Sequence, residues 1–242
     1  MLDIISGVIK LTSYNIEWGK KLDEAGEWMM TLSPRPDVIC LQEIPNRRLT
    51  SFKKVLEENG YAYKFAPSFT KHGTTYGQLT AYNAAKLNLV LSQIVDLGSN
   101  LISKFISRHN SKWRSLITVL QIQKRKFIVV NVHLLPHALN GKRRKQLELA
   151  IEALNLLNFL NVPTLIVGDY NYSSLTGRGG LARFMAKHGF KSAHKEKMIT
   201  HHKWKIKHQT DYVFSKNCKI KSVTSDRINL SDHFPVHVEF EV

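Results

Sequence analysis

The chain has 242 residues, of which 43% are hydrophobic, so it can bury an ample core without disulfides or a structural metal. Its 35 Lys and Arg residues outnumber 19 Asp and Glu residues, and the formal net charge of +16 favours a polyanionic partner: nucleic acid, an anionic membrane surface or a phosphorylated ligand. Two cysteines, no apolar run of membrane-spanning length and no signal-peptide pattern argue against a disulfide scaffold and a helical membrane protein, so we expect one cytoplasmic domain over residues 1–242.

Short β-branched and aromatic runs, bounded by Pro, Gly or Asn, predict strands along the whole chain. In chain order they are Val8–Asn15, Val38–Gln42, Tyr61–Ala66, Asn88–Val95, Ser115–Gln123, Phe127–His133, Thr164–Gly168, Gln209–Phe214, Lys219–Ser225 and Val236–Phe240. Helical periodicity predicts four helices, at Glu24–Leu32, Leu49–Asn59, Lys142–Leu160 and Leu181–His188. The basic stretch Lys187–His208 is predicted to be a solvated loop. Many strands with few helices outside them predict an α+β fold of two packed sheets with flanking helices.

Polar residues stand at the ends of these strands, where core packing does not require them. They occur in Tyr14-Asn15-Ile16, Leu41-Gln42-Glu43, Asn131-Val132-His133, Gly168-Asp169-Tyr170-Asn171, Thr210-Asp211-Tyr212 and Ser231-Asp232-His233-Phe234-Pro235. Each segment alone fits ordinary turn chemistry. Six of them, all carrying Asn, Asp, Glu or His, indicate instead a functional mouth that several strand ends share.

This ordered set resembles the signature of the endonuclease/exonuclease/phosphatase (DNase I-like) superfamily, over the chain from Ser13 to Pro235. The resemblance implies a four-layer α/β sandwich, in which two packed, mostly antiparallel sheets are flanked by helices and the active site lies at one edge of the paired sheets. It also implies hydrolysis of a phosphoester with a divalent metal ion.

The oxygen-bearing residues of the set predict a site for Mg²⁺ or Mn²⁺, because hard cations prefer carboxylate and amide oxygens. Glu43 is the first predicted ligand, with the amide oxygen of Asn15 and the carboxylate of Asp232 beside it. A structural zinc site at the adjacent His201 and His202 is not favoured, because no Cys-x-x-Cys or His-Glu-x-x-His pattern accompanies them.

The remaining polar residues are assigned to catalysis. We expect Asp169 to orient or deprotonate the attacking water and Asn171 to donate to a phosphate oxygen. His233 is expected to hydrogen-bond the phosphate or to exchange a proton. The resemblance implies that Asp211 pairs with His233 and fixes its tautomer. It assigns His133 as the general acid at the leaving oxygen, or as a second phosphate donor.

Two further residues are predicted to bind the substrate phosphate. Arg114 resembles the family's phosphate-contacting arginine, and Asn131 of the Asn-x-His segment is placed with it. The chain also departs from the family pattern. Ile44-Pro45 after the metal glutamate, together with His133, disfavours the abasic-site repair branch. DNase I-type enzymes place a glutamate beside the general-acid histidine, whereas the corresponding region here offers Gln78.

Nucleic acid is the favoured substrate class. The basic groups would neutralise backbone phosphates and the aromatic residues would stack on bases; they are Lys104, Arg108, Lys112, Arg114, Lys142–Lys145 and Lys187–Lys207, with Trp113, Trp204 and Tyr76. A phospholipid or inositol-phosphate headgroup on an anionic leaflet is the alternative substrate. An inactive nucleic-acid-binding module is the third reading. No protein partner follows from the sequence.

Overall fold

The computed structural model describes residues 7–99, 112–136, 138–172, 175–194, 197–203 and 206–242. The strands are β1 (Val8–Asn15), β2 (Val38–Pro45), β3 (Tyr61–Lys71), β4 (Thr74–Asn83), β5 (Asn88–Ser99), β6 (Lys112–Ile122), β7 (Arg125–His133), β8 (Thr164–Asp169), β9 (Lys191–Ser192), β10 (His201–Lys203), β11 (Ile206–His208), β12 (Asp211–Lys216), β13 (Lys219–Ser225) and β14 (Val236–Glu241). The helices are α1 (Leu22–Thr31), α2 (Leu49–Glu58), α3 (Asn140–Leu156) and α4 (Leu175–Lys187), with 3₁₀ turns at Glu17–Gly19 and Asn46–Arg48.

The strands form two six-stranded sheets and one hairpin. The first sheet has the order β13-β14-β1-β2-β4-β3 and the second β5-β6-β7-β8-β12-β9, while β10 and β11 pair with each other. Pairing is parallel between β1 and β2 and between β7 and β8. Parallel neighbours end at the same edge of a sheet, so Asn15 ends beside Gln42 in the first sheet and His133 beside Asp169 in the second.

Alternation of side chains along the strands sorts the apolar residues into three layers of packing. Between the sheets lie residues of both, including Leu11, Val38, Val129 and Val167. The outer face of the first sheet packs on α1 and α2 through residues such as Ile39, Met29 and Phe52. The outer face of the second sheet packs on α3 and α4 through residues such as Ile166, Leu147 and Met185. The order is therefore helix, sheet, sheet, helix, and the predicted α+β sandwich is confirmed.

The sequence did not predict β4, which lies in the interior of the first sheet. Its hydrophobic alternation is broken by Gln78 and Thr80, which are fully buried although they are polar. It also contains Gly77, where a Cβ atom would lie 2.2 Å from the carbonyl oxygen of Ala66. A close backbone approach of this kind requires glycine. The strand therefore contains a residue with low β-propensity, which hides it from prediction.

The prediction of a solvated loop over Lys187–His208 is wrong in part, because this stretch contains β9 and the β10–β11 hairpin. None of the helices in the described ranges is long and apolar enough to cross a lipid bilayer. The assignment of residues 1–242 to one domain stays a prediction.

Candidate active site

Close contact between β7 and β8 sets the floor of the candidate site. Gly168 lies opposite Val132, and a Cβ atom built on it would lie 1.9 Å from the carbonyl oxygen of Val132. Its φ of 134° also lies in the region that favours glycine. Because Gly168 lets the two strands approach, the next pair in register, His133 and Asp169, lies side by side at the sheet edge.

A bulge in β2 aims Glu43 at the same edge. The register between β2 and β4 shifts after Leu41, and Glu43 has a left-handed φ of 63°. Its carboxylate accepts hydrogen bonds from the backbone N–H of Trp18 at 2.8 Å and from Nδ2 of Asn15 at 3.2 Å. Bulges bend a strand and redirect a side chain, which accounts for the direction of Glu43.

Asp169 is the meeting point of the two sheets. Its Oδ2 atom accepts from Nδ2 of Asn15 at 3.1 Å and lies 3.7 Å from Nε2 of His133 and 3.7 Å from Nε2 of His233. Nε2 of His133 is also 3.6 Å from Oε1 of Glu43. Two carboxylates and two imidazoles therefore face one another across the sandwich.

Asn171 holds Asp169 in this position. Its backbone N–H donates to Oδ1 of Asp169 at 2.8 Å, and its Nδ2 group donates to Oδ2 at 3.2 Å and to the carbonyl oxygen of Leu134 at 2.9 Å. Both amide hydrogens are engaged, so the predicted donation from Asn171 to a phosphate requires one of these bonds to break.

His233 and Asp211 form a close pair, with 2.8 Å between Nδ1 and Oδ2. Thr200 organises both partners: its hydroxyl accepts the backbone N–H of Asp211 at 3.0 Å, and its carbonyl accepts the N–H of Phe234 at 2.7 Å. The hydroxyl of Ser231 donates to the carbonyl oxygen of Asn15 at 2.7 Å, which ties the same loop to the first sheet.

The two imidazoles of the site differ in protonation. Burial lowers the pKa of His233, but the charges of Asp211 and Asp169 outweigh it and raise the pKa to about 10. Burial and the neighbouring charge of His233 lower the pKa of His133 to about 3. His233 is therefore a cation at neutral pH and His133 is neutral. Burial raises the pKa of Glu43, and burial raises that of Asp169 to about 7.

The predicted metal ligands offer the oxygen chemistry of a hard divalent cation. Burial raises the pKa of Glu43, and it outweighs the charge of His233 and the hydrogen bonds from Trp18 and Asn15, which lower it. A buried carboxylate is stabilised in its charged form by a bound cation. Asn15 turns its amide nitrogen toward Glu43 and Asp169, while its oxygen accepts the N–H of Glu17 at 3.1 Å. Ligation by Asn15 thus requires its amide to rotate.

Asn131 lies inside the sandwich, so the prediction that it binds the substrate phosphate is wrong. Both of its amide hydrogens donate to backbone carbonyls of the first sheet, those of Leu41 at 3.1 Å and Leu79 at 2.9 Å. Its oxygen accepts from Nε2 of Gln42 at 2.8 Å. Because the side chain is fully buried and bonded in this way, Asn131 links the two sheets.

Arg114 lies at the edge of the second sheet near His133. Its guanidinium donates to the carbonyl oxygen of Pro67 at 2.8 Å. The preceding residue, Trp113, packs edge-on against the His133 ring, with 5.2 Å between ring centroids. Contact of Arg114 with a phosphate stays a prediction.

Nδ1 of His133 is buried and has no hydrogen-bond partner among the described residues. Gln78 therefore does not take the place of the glutamate that DNase I-type enzymes set beside the general-acid histidine.

Several predicted substrate contacts are placed elsewhere. The rings of Trp113 and Tyr76 are buried and stack on Phe69, so the prediction that these two residues stack on bases is wrong. Trp18, in the same aromatic group, is half-buried. Arg143 is buried, and its Nε donates to the carbonyl oxygen of Leu135 at 2.8 Å. Other predicted contacts lie outside the described residues: Lys104, Arg108, Trp204 and Lys205.

Sequence reasoning missed Thr200 and His201, which the β10–β11 hairpin brings to the site. Alternate residues of β10 face opposite ways, so His201 meets His233 while the ring of His202 stacks on Phe234. In the sequence, the adjacent His201 and His202 were the only indication that this segment contributes to the site. It could not be interpreted without knowing that this segment is a strand.

A family model described as "Endonuclease/Exonuclease/phosphatase family" matches residues 12–233. No curated protein matches the chain.

Several solved structures share the fold. An endonuclease/exonuclease/phosphatase from Bacteroides vulgatus aligns with a TM-score of 0.78 and 17% identity, over 97% of this chain and 99% of that one. ANGEL2, a 2′,3′-cyclic phosphatase in complex with adenosine-2′,3′-vanadate, aligns with a TM-score of 0.76 and 16% identity, over 99% and 97%. The Bacteroides thetaiotaomicron mannosyl-6-phosphatase aligns with a TM-score of 0.73 and 16% identity, over 97% and 100%.

Proposed function

The chain belongs to the Endonuclease/Exonuclease/phosphatase family, whose members are phosphoesterases, and we propose that it hydrolyses phosphodiesters of nucleic acid, DNA or RNA, with Mg²⁺ or Mn²⁺. The observation that carries the proposal is the convergence of Glu43, Asp169 and His233 at the edge where the two sheets meet. A nucleophilic water, a negatively charged phosphate and a cation all find complementary groups there.

The protein groups suit an attack by water on phosphorus. Asp169, with a pKa raised to about 7, can orient water and take its proton near neutral pH. The charged ring of His233 is held by Asp211 at Nδ1 and donates from Nε2 to a phosphate oxygen. His133 is neutral, which favours the second of its two predicted roles, a donor to phosphate, over that of a general acid.

Glu43 and Asp232 would hold the divalent cation, with Asn15 joining them after its amide rotates. Such a cation, when bound, neutralises phosphate charge and polarises the phosphorus–oxygen bonds. Burial raises the pKa of Glu43, and a bound cation would stabilise its charged form.

Nucleic acid is supported as the substrate class by the net charge of +16 and by lysines in the β10–β11 hairpin, whose backbone pairs with His233. Lys207 is exposed on β11, opposite His202 on β10, and Lys203 ends β10 on the same hairpin that contacts His233. The fold neighbour that binds adenosine-2′,3′-vanadate supports a phosphate ester on ribose. We further propose a cytoplasmic location, in keeping with the free thiols of Cys40 and Cys218.

A substrate panel tests the proposal. Purified chain with Mg²⁺ is offered single- and double-stranded DNA and RNA in one arm, and anionic vesicles carrying phosphoinositide or sphingomyelin in the other. Glu43→Ala protein, prepared in parallel, controls for contaminating nuclease. We expect cleavage of nucleic acid by wild type alone. Release of a lipid headgroup without nucleic-acid cleavage contradicts the nuclease proposal and favours the lipid alternative, and inactivity on every substrate favours a binding module.

A further inference from the structure

The β10–β11 hairpin is docked on the loop that carries Asp232 and His233. His201 and His233 form an antiparallel bridge. The N–H of His202 donates to the carbonyl oxygen of Asp232 at 2.8 Å, and the N–H of Phe234 donates to that of Thr200 at 2.7 Å. These backbone bonds fix the position of His201 relative to the loop, so its side chain lies at the border of the candidate active site.

Three ligand-bearing side chains converge at this point. Nε2 of His201 lies 3.7 Å from one carboxylate oxygen of Asp232, and Nε2 of His233 lies 3.9 Å from the other. One ligand atom from each of the three residues lies within 4.8 Å of the others. Ligands bound tetrahedrally to zinc at about 2.0–2.2 Å are roughly 3.3–3.6 Å apart, so small side-chain rotations close the cluster around an ion.

We propose that His201, Asp232 and His233 bind a transition-metal ion of the zinc class, and that this ion inhibits the hydrolase. Two imidazole nitrogens and one carboxylate oxygen are the donors that Zn²⁺ and Co²⁺ favour, whereas Mg²⁺ favours oxygen alone. The inhibitory half rests on the proposed function, because the ion takes Nε2 of His233 and the carboxylate of Asp232 away from phosphate and Mg²⁺.

Asp211 completes the arrangement from behind. Histidines that bind metal usually donate their other ring N–H to a carboxylate, and Nδ1 of His233 lies 2.8 Å from Oδ2 of Asp211. This hydrogen bond leaves Nε2 as the metal-facing nitrogen. Binding displaces the proton from Nε2 to solvent, and no redox change or further reactant is involved.

Cobalt absorption tests the site without any substrate. The protein is stripped with chelator and titrated with Co²⁺, and its visible d–d bands are recorded. We expect bands that saturate near about one equivalent and disappear when Zn²⁺ is added. In His201→Phe and His201→Gln the apparent Kd should rise by about tenfold or more, since even losing a residue behind the ligands costs that much. His202→Phe, which keeps the ring stacked on Phe234, is the matched control and should titrate like wild type.

Unchanged Co²⁺ bands in both His201 variants, with thermal melting showing folded protein, would overturn the site, as would the lack of bands in wild type. Zn²⁺ inhibition is then compared within each protein, as activity with Zn²⁺ divided by activity without it, at constant Mg²⁺. The concentration for half inhibition should rise by about tenfold or more in the His201 variants. Equal inhibition of wild type and variants overturns the inhibitory role. If no substrate is hydrolysed, the cobalt titration still decides the metal site by itself.

Discussion

Nδ1 of His233 lies 2.8 Å from Oδ2 of Asp211, although 22 residues separate them in the chain. Both sides of this pair depend on Thr200, whose hydroxyl accepts the N–H of Asp211 while its carbonyl accepts the N–H of Phe234. The pair is thus held by a residue of the segment that precedes β10. Its two members should act in catalysis as one unit.

His233→Ala should lower kcat by about 10² to 10⁴ and change KM much less, because a charged donor acts most strongly where charge develops in the transition state. Asp211→Ala should cause a similar loss, and the double variant should be little worse than His233→Ala alone. Steady-state kinetics on a cleaved substrate measure this. Additive losses would mean that Asp211 does not act through His233, and the exposed His72→Asn is the control for loss of a histidine.

Glu43→Gln should abolish metal-dependent activity by several orders of magnitude while the fold stays intact. Burial raises the pKa of Glu43, so its charged form is unfavourable in the folded protein, and the neutral amide should not lower the melting temperature in chelator. Mg²⁺ should raise the melting temperature of wild type and leave that of Glu43→Gln unchanged, because only a bound ligand stabilises the native state. Glu57→Gln, at an exposed position on α2, is the matched control. A metal-induced shift of equal size in Glu43→Gln would remove Glu43 from the ligand set.

Gly168→Ala should destabilise the protein by about 2 kcal/mol or more, because its Cβ atom would lie 1.9 Å from the carbonyl oxygen of Val132 and the backbone has φ 134°. Gly180→Ala in α4 is the control, since a Cβ atom there meets nothing within 4 Å and alanine favours helix. Urea unfolding of both variants gives the comparison. Equal free energies of unfolding for wild type and Gly168→Ala would contradict the close approach of β7 and β8.

Binding of nucleic acid should weaken with salt, with a log–log slope of about −0.7 to −0.9 per phosphate contacted. Replacing Lys203, Lys205 and Lys207 with Gln should flatten that slope and leave hydrolysis of a small generic phosphodiester unchanged. Fluorescence anisotropy from low to moderate salt measures it. The same charge change at Lys124, Lys219 and Lys221, at the opposite end of the sandwich, is the control. An identical slope in both triple variants would show that the hairpin does not contact the polyanion.

The sequence by itself determined ten of the fourteen strands in the described ranges, the helices, and the polar residue types that stand at the strand ends. β1 and β13 have the predicted bounds, Val8–Asn15 and Lys219–Ser225, because their β-branched residues end at clear turn signals. Glu43, Asp169 and His233 were predicted as site residues because core packing does not require polar residues at strand ends. Family membership followed from their order along the chain and is confirmed by the matched residues 12–233.

Tertiary structure alone decided where polar residues face. Asn131 and His133 are two residues apart on β7, yet Asn131 is bonded between the sheets and His133 meets Asp169, because the last residue of a strand reaches the edge and an interior one does not. The sequence did not predict β4 because Gln78 and Thr80 are polar, which is typical of surface residues, although both are buried. His201 meets His233 only through pairing of a hairpin with a distant loop. Local propensity carries no information about such long-range pairing, because backbone hydrogen bonds form equally well in several registers and the register depends on which side chains the folded protein buries.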